Sequence, residues 1–147
     1  LAHLEKAGML AKEQRANRLF YRFRHEYPLY FELMELIGKT TGLGWDIVKN
    51  KAKLGKIKFA MLSGRFLRGL PHRGGNDVDL LIVGSVVLAE LGSFVRAEEV
   101  KRERELNYTV MTDEEFAFRK RRRDPFVLEI LSGSRVMLIG DEEELVS

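Results

Sequence analysis

The amino-acid sequence predicts an α+β fold in two parts, and three observations carry that prediction. Between Arg18 and Arg24 the side chains alternate, Leu19, Tyr21 and Phe23 on one face and Phe20, Arg22 and Arg24 on the other, which is strand period. From Trp45 onward helical and strand patterns take turns, and Val78–Val83 is apolar enough to be buried on both faces. At Thr40–Gly44 small and breaking residues separate these two grammars, which places a boundary between parts 1–43 and 44–147.

Composition sets the limits. The chain has 147 residues, 45% apolar and 32% charged, enough for one large or two small cores and unlike a disordered chain. Its 25 Lys and Arg against 22 Asp and Glu leave a formal charge of +3, too mild by itself to establish a nucleic-acid partner. The absence of cysteine excludes a disulfide scaffold, thiolate metal sites and a cysteine nucleophile. No apolar run approaches the roughly 18 residues of a membrane span and nothing N-terminal reads as a signal peptide. The expectation is a cytoplasmic protein with no membrane partner. The sequence opens at Leu1, within a helical pattern and without an initiator Met, and reads as a piece of a longer chain.

Taken in order, Leu1, Leu4, Ala7 and Leu10 give the tail of an amphipathic helix with Gly8 as its C-cap. Met9–Glu13 and Arg18–Arg24 read as strands around a polar turn at Gln14–Asn17. Pro28 sits where a helix starts, and Leu29, Leu33, Leu36 and Ile37 keep helical period to Gly38. Trp45–Leu54 reads as one short helix, with Trp45, Ile47, Val48 and Leu54 packing at the junction. Ile57–Leu62 is a strand, followed by a loop with Gly64, Gly69, Gly74 and Gly75 and the strand Val78–Val83. Val86–Glu103 is a long helix whose core face is Val86, Val87, Leu88, Leu91, Phe94 and Val95, and Leu106–Met111 is a third strand. Thr112 with Glu115 forms a capping-box pattern, and Asp124-Pro125 pairs an N-cap with Pro at the first helical position before Phe126–Leu131. Gly133 ends that helix and Val136–Ile139 is a last short strand.

Two constellations bear on function. In the first, a helix end runs into a hairpin bearing Lys12, Arg15, Arg18, Arg22 and Arg24, with Glu13 as the single acid between Lys12 and Arg24. A helix in the major groove with cations of a following hairpin on the flanking phosphates is a DNA-binding arrangement. The stretch Leu4-Glu5-Lys6-Ala7-Gly8-Met9, the strand Arg18–Phe23 and the Tyr27-Pro28-Leu29-Tyr30-Phe31-Glu32-Leu33 phrase together resemble the C-terminal part of an ArsR-like winged helix-turn-helix. The resemblance covers residues 1–41 and implies DNA contact through these five cations and a homodimer facing paired half-sites. The helices that precede a recognition helix in that family are absent from this sequence. Taken alone, apart from the Leu-Glu-x-x-Gly pattern of Leu4–Gly8, the arginines read as a solvated hairpin face.

In the second, Ser63-Gly64-Arg65-Phe66-Leu67-Arg68-Gly69 is followed by Asn76-Asp77-Val78-Asp79 at the head of a buried strand. Residues two apart on a strand point the same way, so Asp77 and Asp79 can share a divalent ion, and glycines let backbone approach phosphate closely. This arrangement resembles the minimal nucleotidyltransferase domain of the DNA polymerase β type over residues 46–147. Gly64, Phe66, Arg68 and Gly69 match the family's glycine motif, and Arg65 and Asp77 are separated by 11 residues, within its spacing. The resemblance implies a mixed sheet flanked by helices. It also implies Asp77 and Asp79 as catalytic Mg²⁺ ligands, and Gly64, Arg65, Arg68 and Asn76 as nucleotide contacts. The sequence departs from the family at three points. Arg65 and Asn76 replace serines, and Asn107 stands where a third carboxylate ligand belongs. An amide brings no charge and no base toward an attacking hydroxyl. Asp77 and Asp79 therefore read also as loop caps paired with Arg65 or Arg68, on a fold that has kept its form without its chemistry.

The combined resemblance is to prokaryotic transcriptional regulators that carry a nucleotidyltransferase domain, here with a degenerate site. Two alternatives stay open: an active Mg²⁺-dependent transferase moving a nucleoside monophosphate from an NTP to a hydroxyl, and an antitoxin-like interaction module. Arg119–Arg123 reads as phosphate-tracking or, more simply, as cations complementing a helix C-terminus. His3, His25 and His72 show no ligand spacing.

Overall fold

The computed structural model describes residues 10–15, 18–23 and 26–147, and the chain divides into two units, Leu1–Leu36 and Ile37–Ser147. In the first unit, β1 (Leu10–Arg15) and β2 (Arg18–Phe23) form an antiparallel hairpin in register from Leu10↔Phe23 to Arg15↔Arg18. Gln14 and Arg15, expected in the turn, belong to β1, where they pair with Leu19 and Arg18. The helix tail expected at Leu1–Gly8 lies outside the described residues. Helix α1 (Tyr30–Thr40) starts two residues after Pro28, where the Tyr30 N–H closes a turn on the Tyr27 carbonyl at 3.0 Å. The break between the units falls inside α1, ahead of the Thr40–Gly44 composition change.

The second unit is built on a four-stranded mixed sheet. Its members are β3 (Gly55–Ser63), β4 (Leu80–Val86), β5 (Tyr108–Met111) and β6 (Arg135–Ile139), in the order β5-β4-β3-β6. β3 runs antiparallel to both neighbours, and β4 and β5 are parallel. Around it lie α2 (Gly42–Lys49), α3 (Lys51–Leu54), α4 (Gly64–Leu67), α5 (Leu88–Arg102), α6 (Asp113–Arg121), α7 (Pro125–Ser132) and α8 (Glu142–Val146). The described residues are thus α+β, and no described helix is long and apolar enough to cross a membrane.

The alternation within β4 makes the layers. Leu80 and Ile82 join Leu43, Ile47, Leu54, Leu91 and Val95 from α2, α3 and α5 on one face. Leu81 and Val83 join Phe116, Val127 and Leu145 from α6, α7 and α8 on the other. Each such side chain contributes about 1.5–3 kcal/mol on burial, which is why this strand carries no polar residue until Ser85. A bulge between Ile57 and Phe59 moves β3 from one face to the other, so Ile57 and Phe59 belong to different cores despite their even spacing. Gly84 faces this bulge at φ +145°, where a side chain would collide with the Lys56 carbonyl.

Several boundaries differ from expectation for tertiary reasons. Trp45–Leu54 is two helices, because Asn50 leaves helical geometry (φ −105°, ψ 23°) and returns its backbone and side-chain N–H to the Asp46 carbonyl at 3.1 and 2.8 Å. α2 begins at Gly42 because buried Glu98 of α5 accepts the Leu43 N–H at 2.6 Å. Trp45 is 44% exposed instead of packed, while Ile47 and Leu54 are buried. Val87 and Leu88 are exposed too, leaving the core face of α5 to Leu91 and Val95 with Phe94 half-buried. α5 stops when Glu103 turns left-handed at φ 55°. α8 is a short helix in which Asp141 accepts the N–H groups of Glu143 and Glu144.

Candidate functional site

The glycine loop leaves the end of β3 as one helical turn, α4. Ser63 Oγ caps it by accepting the Phe66 N–H at 3.0 Å, and Phe66 inserts into the core at 1% exposure. Gly64 donates its N–H to the Ser134 carbonyl at 2.8 Å, and a Cβ there would collide with Ser134 Oγ. A larger residue here would force the Ser134 side chain at the β6 entry to move. Beyond α4 the chain is held by guanidinium groups. Arg102 stacks 3.8 Å above the Phe66 ring and donates to the Phe66 carbonyl at 3.0 Å. Arg104 donates to the Leu70 carbonyl and Arg65 to the Pro71 carbonyl, each at 2.8 Å. A cleft of about 220 Å³ opens beside the loop, with Ser63, Arg65, Arg68, Asn76, Asp77 and Ser134 among its lining residues.

The two carboxylates at the cleft have separate duties. β4 begins at Leu80, so neither Asp77 nor Asp79 lies within the strand, and period-two reasoning does not align them. Asp77 closes a turn: its Oδ2 accepts the Arg73 N–H at 2.6 Å and its own N–H reaches Gly74 O at 3.4 Å. That backbone N–H holds the Asp77 carboxyl below the usual carboxylate range against partial desolvation, helped by the Arg73 side chain and the charge of Arg65.

Asp79 is the buried one, with a side chain 4% exposed. Its Oδ2 lies 2.6 Å from His72 Nε2 and accepts the Asn107 backbone N–H at 2.9 Å, and its Oδ1 faces Arg104 Nη2 at 3.4 Å. Arg104 Nη2 is also 3.5 Å from His72 Nε2, so imidazole, guanidinium and carboxylate form one cluster. The parallel pairing of Leu80 with Tyr108 brings Asn107 alongside Asp79, as the sequence placed it. Its side chain does something a carboxylate cannot: Asn107 Nδ2 donates to the Asp77 carbonyl at 2.9 Å.

For a divalent ion the donor set is thin. Among the described residues no three His, Cys, Asp or Glu side chains come together as a group that could hold a metal. Both Asp79 oxygens meet protein donors, and one of these is a fixed positive charge. Arg73 pairs with Asp77 and Arg104 with Asp79, while Arg65 donates to the Pro71 carbonyl and its charge also acts on Asp77.

Sequence reasoning missed His72, Arg102 and Arg104. No spacing rule joins His72 to a carboxylate seven residues on or to an arginine 32 residues on, since the contact exists only once the loop folds back. Of the hairpin cations, Lys12 is exposed and Arg15, Arg18 and Arg22 lie on β1 and β2, whereas Arg24 falls outside the described residues. No family model matches the chain, and no curated protein or solved structure matches it either.

Proposed function

We propose that the protein is a DNA-binding transcriptional regulator whose second unit keeps a nucleotidyltransferase-like arrangement as a scaffold, without turnover. One observation carries the second half of this reading. Asp79, one of the two carboxylates such chemistry would give to Mg²⁺, is enclosed by His72, Arg104 and the Asn107 N–H. An internal cation satisfies the buried charge that a metal would otherwise satisfy. The first half rests on the hairpin of β1 and β2 and the cations Lys12, Arg15, Arg18 and Arg22 along it. A cytoplasmic homodimer on paired half-sites belongs to the same reading.

The competing reading is Mg²⁺-dependent nucleotidyl transfer, favoured by the cleft that Arg65, Arg68 and Asn76 line beside Asp77. For it, Mg²⁺ would have to displace His72 and Arg104 from Asp79. A paired titration separates the two. With DNA duplex, affinity should fall steeply with salt, and Arg22→Ala should reduce the slope of log K on log salt by about 0.9. With ATP or GTP in Mg²⁺, any heat should be unchanged in the Asp77→Asn/Asp79→Asn variant. Nucleotide binding that disappears in that variant, or DNA affinity indifferent to salt, defeats the proposal.

A further inference from the structure

The thirty residues from Ile47 to Asn76 contain eight Lys and Arg and no Asp or Glu. Three are the arginines of the loop. The other five, Lys49, Lys51, Lys53, Lys56 and Lys58, follow one another from the end of α2 through α3 into the first half of β3. All five are exposed, while the apolar residues interleaved with them, Ile47, Leu54, Ile57 and Phe59, are buried. The folded chain therefore turns nearly pure positive charge outward along this edge. β6 pairs with β3 only from Ala60 to Ser63, so among the described residues no strand lies beside Lys56 and Lys58 on that side. Lys51, Lys56 and Lys58 line one groove of about 540 Å³ over Gly55 and Gly84.

The acids near this ridge are few and weakly held. Lys53 meets Glu90 at 3.8 Å and Lys58 meets Asp113 at 3.2 Å, with Glu114 on the far wall of the groove. Both pairs are solvent-exposed, a class worth about 0–1 kcal/mol, and a polyphosphate can displace them. One helical turn before Lys49 stands Trp45, exposed, with the Lys49 ammonium 6.0 Å from its ring centre. A flat aromatic beside cations suits a sugar or an unstacked base.

We propose that this lysine ridge is a second nucleic-acid surface, belonging to the second unit and tracking the phosphate backbone without reading sequence. It rests on the DNA-binding reading above and adds contacts that the hairpin does not supply. Apart from Trp45 the ridge offers no exposed large apolar side chain between Ile47 and Lys58, which argues against insertion into a lipid surface.

The test uses the full chain and a DNA duplex, read by anisotropy between about 50 and 200 mM salt. Lys49→Gln/Lys51→Gln/Lys56→Gln removes three charges from the ridge, and Arg121→Gln/Arg122→Gln/Arg123→Gln removes the same charge elsewhere. Thermal melting confirms that both variants fold. The lysine variant should lose about 2–3 from the salt slope, at about 0.9 per phosphate, and the arginine variant less than about 1. Trp45 is the only tryptophan, so its fluorescence should change on DNA addition in the parent and not in the lysine variant. Equal losses in both variants overturn the proposal by reducing it to net charge. A lysine variant that binds like the parent while Arg22→Ala binds less overturns the ridge and leaves the hairpin reading standing. Binding that survives Arg22→Ala but fails in the lysine variant supports the ridge and removes the hairpin. A parent that ignores DNA and sediments with phosphatidylserine vesicles overturns both.

Discussion

Replacing Asp79 by Asn separates a structural carboxylate from a metal ligand by the sign of a stability change. The substitution keeps the shape and one acceptor, which can still receive the Asn107 N–H, but removes the charge that faces His72 and Arg104. The His72 contact is short at 2.6 Å and the Arg104 contact long at 3.4 Å, so the first carries most of the effect. A hydrogen bond to a charged group contributes about 1.5–3 kcal/mol, and breaking a fully buried pair costs about 3–5 kcal/mol. Here His72 and Arg104 are 27% and 24% exposed and recover some hydration, which lowers the loss to about 2–3 kcal/mol. At this chain length that is a fall of about 6–10 °C in Tm. Urea unfolding followed by circular dichroism in chelator, with unchanged m-value, measures it. A metal site stripped of its ion behaves the other way, because neutralising one of two adjacent carboxylates relieves repulsion. An Asp79→Asn protein as stable as the parent or more so would refute the argument that Asp79 is satisfied from within.

Asn107→Asp, the change that would restore a third carboxylate, should destabilise by about 1–3 kcal/mol, since it deletes the donor to the Asp77 carbonyl and adds charge beside Asp79. Differential scanning calorimetry in chelator checks this, and parent-like stability contradicts it. Asp77 gives a pH signature. Its folded pKa lies below the unfolded value of about 3.9, so its contribution is full above that value and fades as pH falls through the folded pKa. The stability advantage of the parent over Asp77→Asn should therefore be present near about pH 6 and shrink as pH falls below about 3.9; an advantage that grows with acid is incompatible with the turn described.

What was legible in the sequence was local. Thr112 accepts the Glu115 N–H at 3.0 Å and Asp124 accepts the Phe126 N–H at 2.8 Å, because an N-cap needs only residues two or three apart. The same logic applies to Asp141, which caps α8 by accepting the Glu143 and Glu144 N–H groups two and three residues on. The double-sided burial of β4 was legible because an unbroken apolar run has few other homes. The burial of Glu98 was not: beyond Arg102 one turn on, it accepts the Leu43 N–H, 55 residues earlier, and an acid in a helix reads as surface until that contact exists. Trp45 misled in the opposite direction, since large apolar residues are usually buried and this one stands beside lysines.

The candidate site shows the same division between what spacing carries and what folding adds. Asp-x-Asp after a glycine turn fixes where two carboxylates enter the fold, and a buried carboxylate requires a positive partner. Spacing does not name that partner. Here it is fixed by the exit of α5, where Glu103 at φ 55° ends the helix and Arg104 follows with its N–H on the Glu99 carbonyl. From that position one guanidinium reaches both the Leu70 carbonyl and Asp79. The clasp thus ties the glycine loop to the heads of β4 and β5. Loosening Arg104 should disturb the loop and Asp79 together, whereas a metal ligand set would let the loop move without the carboxylate.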